Sequence, residues 1–145
     1  MSDIDIRGDG IRPFDGQNRV AIPATLRAEL GEDLVVFAPP VTNDRYLVIY
    51  PVAEWKAYCE RVYQSRSGVA LAQAQRQISS NAYNTKSDKQ GRVTIKDKFR
   101  NYANLPDDVY VVGVGNRIEL WNLDAWDAKY GTLENPKENL DDVSL

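Results

Sequence analysis

The sequence contains no histidine and a single cysteine, Cys59. Without histidine the chain lacks the commonest metal ligand and the side chain best suited to general-base chemistry near neutral pH. Ser-His-Asp, Cys-His and histidine–metal chemistry are therefore excluded within one chain. One thiol forms neither an internal disulfide nor a cysteine zinc cage. No stretch approaches the ~20 apolar residues a membrane helix needs. The opening MSDIDIRGDG also lacks the apolar run of a secretory signal. The expectation is a cytoplasmic, non-enzymatic protein with no metal, no cofactor, no membrane partner and no small-molecule substrate. Catalysis by carboxylate, Lys or Tyr is a third and lesser reading, because no catalytic motif accompanies those residues.

What the chain does have is ordinary bulk and uneven charge. At 145 residues, 43% hydrophobic and 27% charged, it is long enough to bury a core as one domain. The formal net charge of −3 opposes nucleic-acid binding at first sight, because phosphate contacts need Lys and Arg. The charge is segregated, however. Residues 80–106 carry six basic side chains and two acidic ones, whereas residues 107–145 carry three and nine. Within a Debye length of about 8 Å the local field outweighs the total.

The chain is also internally repeated. The segment from Phe14 to Arg27 aligns with that from Ser87 to Arg100 in the frame Asp-x-x-x-Arg-Val-x-Ile-x-x-x-(Leu/Phe)-Arg, at an offset of 73 residues. Further on, Tyr46–Trp55 matches Arg117–Trp126 at an offset of 71. Two matches in the same order and at nearly equal offsets indicate a duplication, with extra loop residues around Pro39, Pro40, Asn43 and Asp44 in the first copy.

Each copy predicts the same succession. A turn (Asp15–Asn18; Asp88–Gly91) leads into a short alternating strand (Arg19–Ile22; Arg92–Ile95). A short helix follows, Ala24–Leu30 closed by Gly31, and Asp97–Ala103 in the second copy. Two strands come next, Leu34–Phe37 with Tyr46–Tyr50 and Val109–Val114 with Arg117–Trp121, the latter joined by the hairpin signal Gly115-Asn116. Val52, Trp55, Cys59 and Val62 then mark one face of a helix. A break at Ser65–Gly68 starts a linking helix that runs to about Ile78, and Leu123–Tyr130 repeats the Trp-bearing helix in shorter form. The expected organisation is a first repeat at 10–64, a helical linker at 65–80, a second repeat at 81–130 and an acidic, disordered tail at 131–145. Too few strands lie in either half for independent stability, so strand pairing between the halves is expected.

Tandem Asp-x-x-x-Arg motifs, each continued by Val-x-Ile and a helix ending in Arg, with a Trp segment after each copy, resemble the MraZ family. The resemblance covers roughly residues 10 to 130 and is strongest in Asp88-Lys-Gln-Gly-Arg92 and Ile118-Glu-Leu-Trp121. It implies an α+β fold: a pseudo-two-fold, duplicated swapped-hairpin β-barrel of AbrB-like (SpoVT-AbrB) halves with flanking helices. It further implies a nucleoid-associated transcriptional regulator, a ring-shaped homo-oligomer that binds double-stranded DNA at promoter repeats of the division and cell-wall gene cluster. The motif residues that would face DNA are Asp15 and Arg19 in the first copy, and Asp88 and Arg92 in the second. Two positions depart from the family pattern: Asn18 stands where Gly is favoured, and Lys96 where Pro is expected.

Two readings apply to these residues. Arg19 and Arg92 are suited to phosphate or guanine, yet each could equally pair with its own Asp, and the two roles can coexist. Lys86, Lys89, Lys96, Lys98 and Arg100, with Arg27 at the matching position of the first copy, form either a phosphate-tracking surface or a merely solvated face. Trp55, Trp121 and Trp126 are expected in the core or at a subunit interface, and Cys59 as a buried small hydrophobe. The alternative function is an AbrB-like oligomeric interaction protein, or antitoxin-type partner, with lost or weak DNA binding.

Overall fold

The computed structural model describes residues 4–40 and 43–137. In chain order its elements are β1 (Ile6–Pro13), β2 (Arg19–Ala21), α1 (Ala24–Arg27), β3 (Asp33–Phe37), β4 (Leu47–Pro51), α2 (Val52–Gln64) and α3 (Gly68–Ser80). The second half follows as β5 (Ala82–Lys86), β6 (Arg92–Thr94), α4 (Asp97–Tyr102), β7 (Asp108–Gly115), β8 (Ile118–Trp121) and α5 (Leu123–Tyr130). Among the described residues no helix is long and apolar enough to cross a membrane.

Six strands form one antiparallel sheet in the order β1-β7-β8-β4-β3-β5, and β2 with β6 forms a separate two-stranded ribbon. The order reads the same from either end once the duplication is applied, because β5 repeats β1, β7 repeats β3 and β8 repeats β4. Outer strands cross over. β1 pairs with β7 of the second half from Ile6↔Gly115 to Pro13↔Asp108, and β5 pairs with β3 of the first. At the centre β4 pairs with β8, Val48 opposite Glu119. The halves thus complete each other's sheet, as their shortage of strands required.

The expected barrel is not closed. The large sheet ends on β1 and β5, each laddered on one side, and the ribbon that would have to bridge them hydrogen-bonds mainly to itself. Three-residue strands are too short to extend a ladder onto both neighbours.

Alternation along the strands creates two cores. Leu34, Val36, Leu47, Ile49, Val111, Ile118 and Leu120 face the ribbon, where Val20, Ile22, Leu26, Val93, Ile95 and Phe99 meet them. Val20 and Val93 are directly paired and fully buried. Burial of each such side chain contributes about 1.5–3 kcal/mol. A lone two-stranded ribbon is marginal in water, so this packing is what makes β2–β6 a rigid platform. On the other face Phe37, Val48 and Tyr50 lie under α2, against Trp55, Cys59 and Val62 of its predicted stripe, with Ile78 of α3 closing the cluster. Cys59 is half-buried there, and burial pushes its thiol up.

Three local differences from expectation have physical causes. Strands β1 and β5 carry little periodic apolar signal (IRGDGIRP, AYNTK), and their ladders are supplied by the other half. The first short helix is α-helical only over Ala24–Arg27; residues 28–30 continue as turn, with Leu30 N donating to the Arg27 carbonyl, before Gly31 reverses the backbone at φ 77°. Residues 131–137 fold back, Lys137 N donating to the Tyr130 carbonyl and Gly131 bridging Pro136. The remainder of the expected tail, 138–145, lies outside the described residues.

Candidate nucleic-acid interface

Both Asp-x-x-x-Arg turns close in the same way. Asp15 N donates to the Arg19 carbonyl at 2.9 Å and Asp88 N to that of Arg92 at 3.0 Å. Each carboxylate then threads its own loop. Asp15 Oδ1 accepts from the backbone N–H groups of Gln17 (2.8 Å) and Arg19 (3.0 Å), and Asp88 Oδ1 from those of Gln90 (2.9 Å) and Arg92 (2.8 Å). Their Oδ2 atoms take the guanidinium Nε, at 2.8 Å from Arg19 and 2.6 Å from Arg92. The backbone N–H of the Arg is the chief cause that holds each carboxyl below its ordinary value, and the second N–H and the guanidinium lower it further.

The consequence is orientation rather than burial. In the register Arg19↔Thr94 and Ala21↔Arg92 the two valines point inward, so both arginines stand on the outer face of one ribbon, diagonally across it. Their side chains are 29% and 34% exposed. Asp occupies Nε in both, and the only acceptor that meets a terminal nitrogen of either, among the described residues, is Gln90 Oε1, 3.1 Å from Arg92 Nη2. Each guanidinium is held internally at Nε while part of its side chain stays exposed.

The matching Arg27 and Arg100 cross between halves. Arg27, on α1, lies across Gly91 of the second turn, where an added Cβ would overlap its side chain. Arg100, on α4, lies over the first turn: Nη1 donates to Asn18 Oδ1 (2.7 Å), Nε to the Leu105 carbonyl (3.1 Å), Nη2 meets Asp107 (3.2 Å), and its guanidinium sits 4.0 Å from the Phe14 ring centroid. With 20% of its side chain exposed, Arg100 is a brace for the first turn. Asn18 holds the left-handed conformation at φ 60° that Gly91 holds at 74°. It also bonds Asp97 through Nδ2, so it ties the first turn to the second half.

The lysines are spread unevenly. Lys89 is exposed at the tip of the second turn, and Lys96 and Lys98 are exposed at the start of α4. Lys86 stands apart, paired with Asp33 at 3.2 Å on the neighbouring strand. Lys96 replaces the residue that is Pro23 in the first half, and proline has no N–H. The donor so gained is met: Lys96 N donates to the Tyr83 hydroxyl (3.0 Å), which donates to the Thr94 carbonyl (2.8 Å). Tyr83 itself stands where the first half has Gly10. Sequence reasoning passed over Asn18, Tyr83 and Gln90 as parts of this surface. The signal for the first two was available, since each accompanies a departure from the repeat.

Trp55 and Trp121 pack in the sheet's outer-face clusters, Trp121 stacked on Tyr46 at 4.7 Å, and Trp126 is half-buried beside it. None lies on the ribbon. Glu119, 6% exposed, accepts from Trp121 Nε1 (2.9 Å) and from Arg117 (2.9 and 3.1 Å). Among the described residues no group of His, Cys, Asp and Glu is arranged to hold a metal ion.

The model of the MraZ protein family, described as antitoxin-like, matches twice, over residues 12–77 and 78–143. The chain belongs to the MraZ family. Proteins named Transcriptional regulator MraZ are similar along most of their length. That of Natranaerobius thermophilus is 34% identical over 134 residues, covering 92% of each chain; that of Bifidobacterium longum is 35% identical, covering 90% of this chain and 86% of its own; that of Pediococcus pentosaceus is 33% identical, covering 94% and 92%. The boundary between the two MraZ matches falls in the last turn of α3, so each match includes one turn, one ribbon strand and one Trp-bearing helix.

Proposed function

We propose that the chain is a transcriptional regulator that binds double-stranded DNA with sequence specificity through the outer face of the β2–β6 ribbon and its two flanking turns. The observation that carries this reading is the pair of arginines on that face, each clamped at Nε by its own aspartate. A two-stranded ribbon fits the major groove, about 12 Å wide, and a guanidinium fork matches the two acceptors of guanine. Fixing Nε removes rotamer freedom before binding and leaves the terminal nitrogens of Arg19, and Nη1 of Arg92, for the base edge. Lys89, Lys96 and Lys98, with Arg27 beside the second turn, are assigned to phosphates; Lys86 and Arg100 support the scaffold from their internal pairs. Asp15 and Asp88 orient rather than touch DNA.

The remaining parts of the reading rest on the family resemblance. The two halves (10–64 and 81–130, linked by 65–80 and followed by the acidic segment 131–145) are AbrB-like units with exchanged hairpins. The regulator acts without catalysis, in the cytoplasm on nucleoid DNA, at promoter repeats of the division and cell-wall gene cluster. A ring of copies presents many ribbons to one duplex, and such avidity offsets the few contacts of one subunit and the overall negative charge.

Fluorescence anisotropy with a duplex that carries tandem promoter repeats tests this. Arg19→Ala and Arg92→Ala are each expected to cost about 1–3 kcal/mol and to erode discrimination against scrambled duplex. Lys89→Ala should weaken both duplexes alike and reduce the slope of log K against log salt by about 0.9 per lost contact. The carboxylates on both arginines favour one competing reading, an interaction protein without DNA binding. It predicts micromolar or weaker affinity at low salt and no effect of Arg92→Ala, and that result would overturn the regulator.

A further inference from the structure

The two turns share their Asp–Arg closure and differ in what lies beside them. At the first, Arg100 is held fast: Asn18 Oδ1, the Leu105 carbonyl and Asp107 accept from it, and the Phe14 ring lies against its guanidinium. Arg27 is the repeat equivalent of Arg100 at the second turn, where those partners are missing. Gly91 stands in the place of Asn18 and offers no side-chain acceptor, and Ser87 stands in the place of Phe14 and offers no ring. Ser87 N donates to the Glu32 carbonyl as Phe14 N does to that of Asp107, which makes Glu32 the counterpart of Asp107. Yet Arg27 forms no ion pair with Glu32, and its guanidinium has no hydrogen-bond partner among the described residues. It is nevertheless half-buried, and a buried donor without an acceptor is costly.

Beside Ser87 lies a pocket of about 340 Å³. Ile22, Ala28 and Leu30 form its apolar wall, and Arg27, Lys89 and Ser87 supply a guanidinium, an ammonium and a hydroxyl. Two carboxylates also border it. Asp88 is spent inside the turn, where its oxygens accept from Gln90 N, Arg92 N and Arg92 Nε, and Glu32 is exposed. The lining thus holds two cations and a hydroxyl without partners in the chain. A phosphate group, with charge to match and oxygens for each donor, answers all three.

We infer that this pocket seats one phosphate of the DNA backbone, held by Arg27, Lys89 and Ser87, and that the first turn, closed by Phe14, Asn18 and Arg100, has no such seat. The inference rests on the DNA-binding function proposed above. Asp88 joins the two tasks, since it borders the pocket and its Oδ2 takes Arg92 Nε. A phosphate seated there sets the register of the neighbouring arginine on the duplex. The halves of the ribbon then do different work: the second anchors the backbone, and the first presents Arg19 from a turn locked by the opposite half.

Anisotropy titrations over a range of salt, with the tandem-repeat duplex and a scrambled one, test it. Ser87→Phe copies the ring of the first half into the pocket and leaves the net charge unchanged. It is expected to weaken both duplexes by the same factor and to lower the slope of log K against log salt by about 0.9 per engaged copy. Arg27→Gln should do the same, and it decides alone if the added ring lowers the urea midpoint of the fold. An unchanged slope in both variants overturns the seat. So does a weakening confined to the repeat duplex, which would place Arg27 at a base. Inorganic phosphate at constant ionic strength separates the two sources of the group and should leave the duplex bound. Displacement from the wild type but not from Ser87→Phe would make this a site for a free anion and overturn its assignment to the backbone. A wild-type chain that binds neither duplex overturns the DNA-binding reading itself.

Discussion

Tyr83→Phe isolates one hydroxyl at the point where the two halves differ most. The hydroxyl accepts from Lys96 N and donates to the Thr94 carbonyl. A net hydrogen bond contributes about 0.5–1.5 kcal/mol. Lys96 and Thr94 are exposed, so water can substitute in part and the lower half of that range applies to each bond. Removal of the hydroxyl therefore costs about 1–2 kcal/mol in all. The ring remains, so the packing against Phe99 at 4.8 Å and the Lys96 ammonium at 4.5 Å over its face persist. Lys96→Pro removes the N–H instead. Its φ of −61° already suits proline, and Pro23 holds −52° at the same place in the first half. Restriction of the unfolded chain contributes about 0.4–1 kcal/mol, which roughly offsets the lost bond. Once residue 96 has no donor, Tyr83→Phe loses only the bond to Thr94. The double-mutant cycle should thus show a coupling of about 0.5–1 kcal/mol. Urea denaturation of the four proteins at one fixed protein concentration measures it, since assembly adds to apparent stability. Additivity of the two substitutions would refute the account, as would a Lys96→Pro chain destabilised as severely as one with proline inside a helix.

Further outcomes follow from the same geometry. Gly91→Ala places a Cβ against Arg27 in a left-handed backbone and should cost about 1–3 kcal/mol in urea midpoints, part of it recovered by Arg27→Ala and the backbone part not. The Asp15 and Asp88 carboxyls sit below their ordinary value of 3.8, so their contribution is present above that value and lost as the pH falls through the lower folded-state value. A pH series of denaturation midpoints should show the loss below about pH 4, and Asp15→Asn with Asp88→Asn should flatten it. Glu119→Leu leaves the Trp121 indole N–H without its acceptor and the Arg117 guanidinium with Asn116 alone, and should cost about 2–4 kcal/mol. Tryptophan fluorescence would register the change at Trp121.

Much of the architecture was legible in advance because it depends on period and punctuation. The alternation of Val and Ile through Arg19–Ile22 and Arg92–Ile95, the Trp55–Cys59–Val62 stripe of α2, the Gly115-Asn116 hairpin and the backbone reversal at Gly31 are local signals read over a few residues. The duplication announced that neither half would be complete. The sequence did not announce β1, whose Gly8, Gly10 and Pro13 argue against a strand until β7 offers it a ladder. It also gave no sign that the barrel would stay open, since closure depends on lengths and angles summed around the whole sheet.

The candidate surface divides in the same way. Residue identity and spacing determined that each Asp would be within reach of its Arg, because a four-residue turn leaves the two side chains together. They also determined that six basic side chains would gather within residues 80–106, and that the chain would carry no histidine and a single thiol. Only the tertiary structure decided that Arg27 braces the second turn and Arg100 the first, that Lys86 is matched by Asp33, and that both arginines share one face of one ribbon. Those outcomes depend on which strand pairs with which, over separations of 53 residues or more, and the pairing of the ribbon comes with the burial of Val20 against Val93 rather than from any neighbour along the chain.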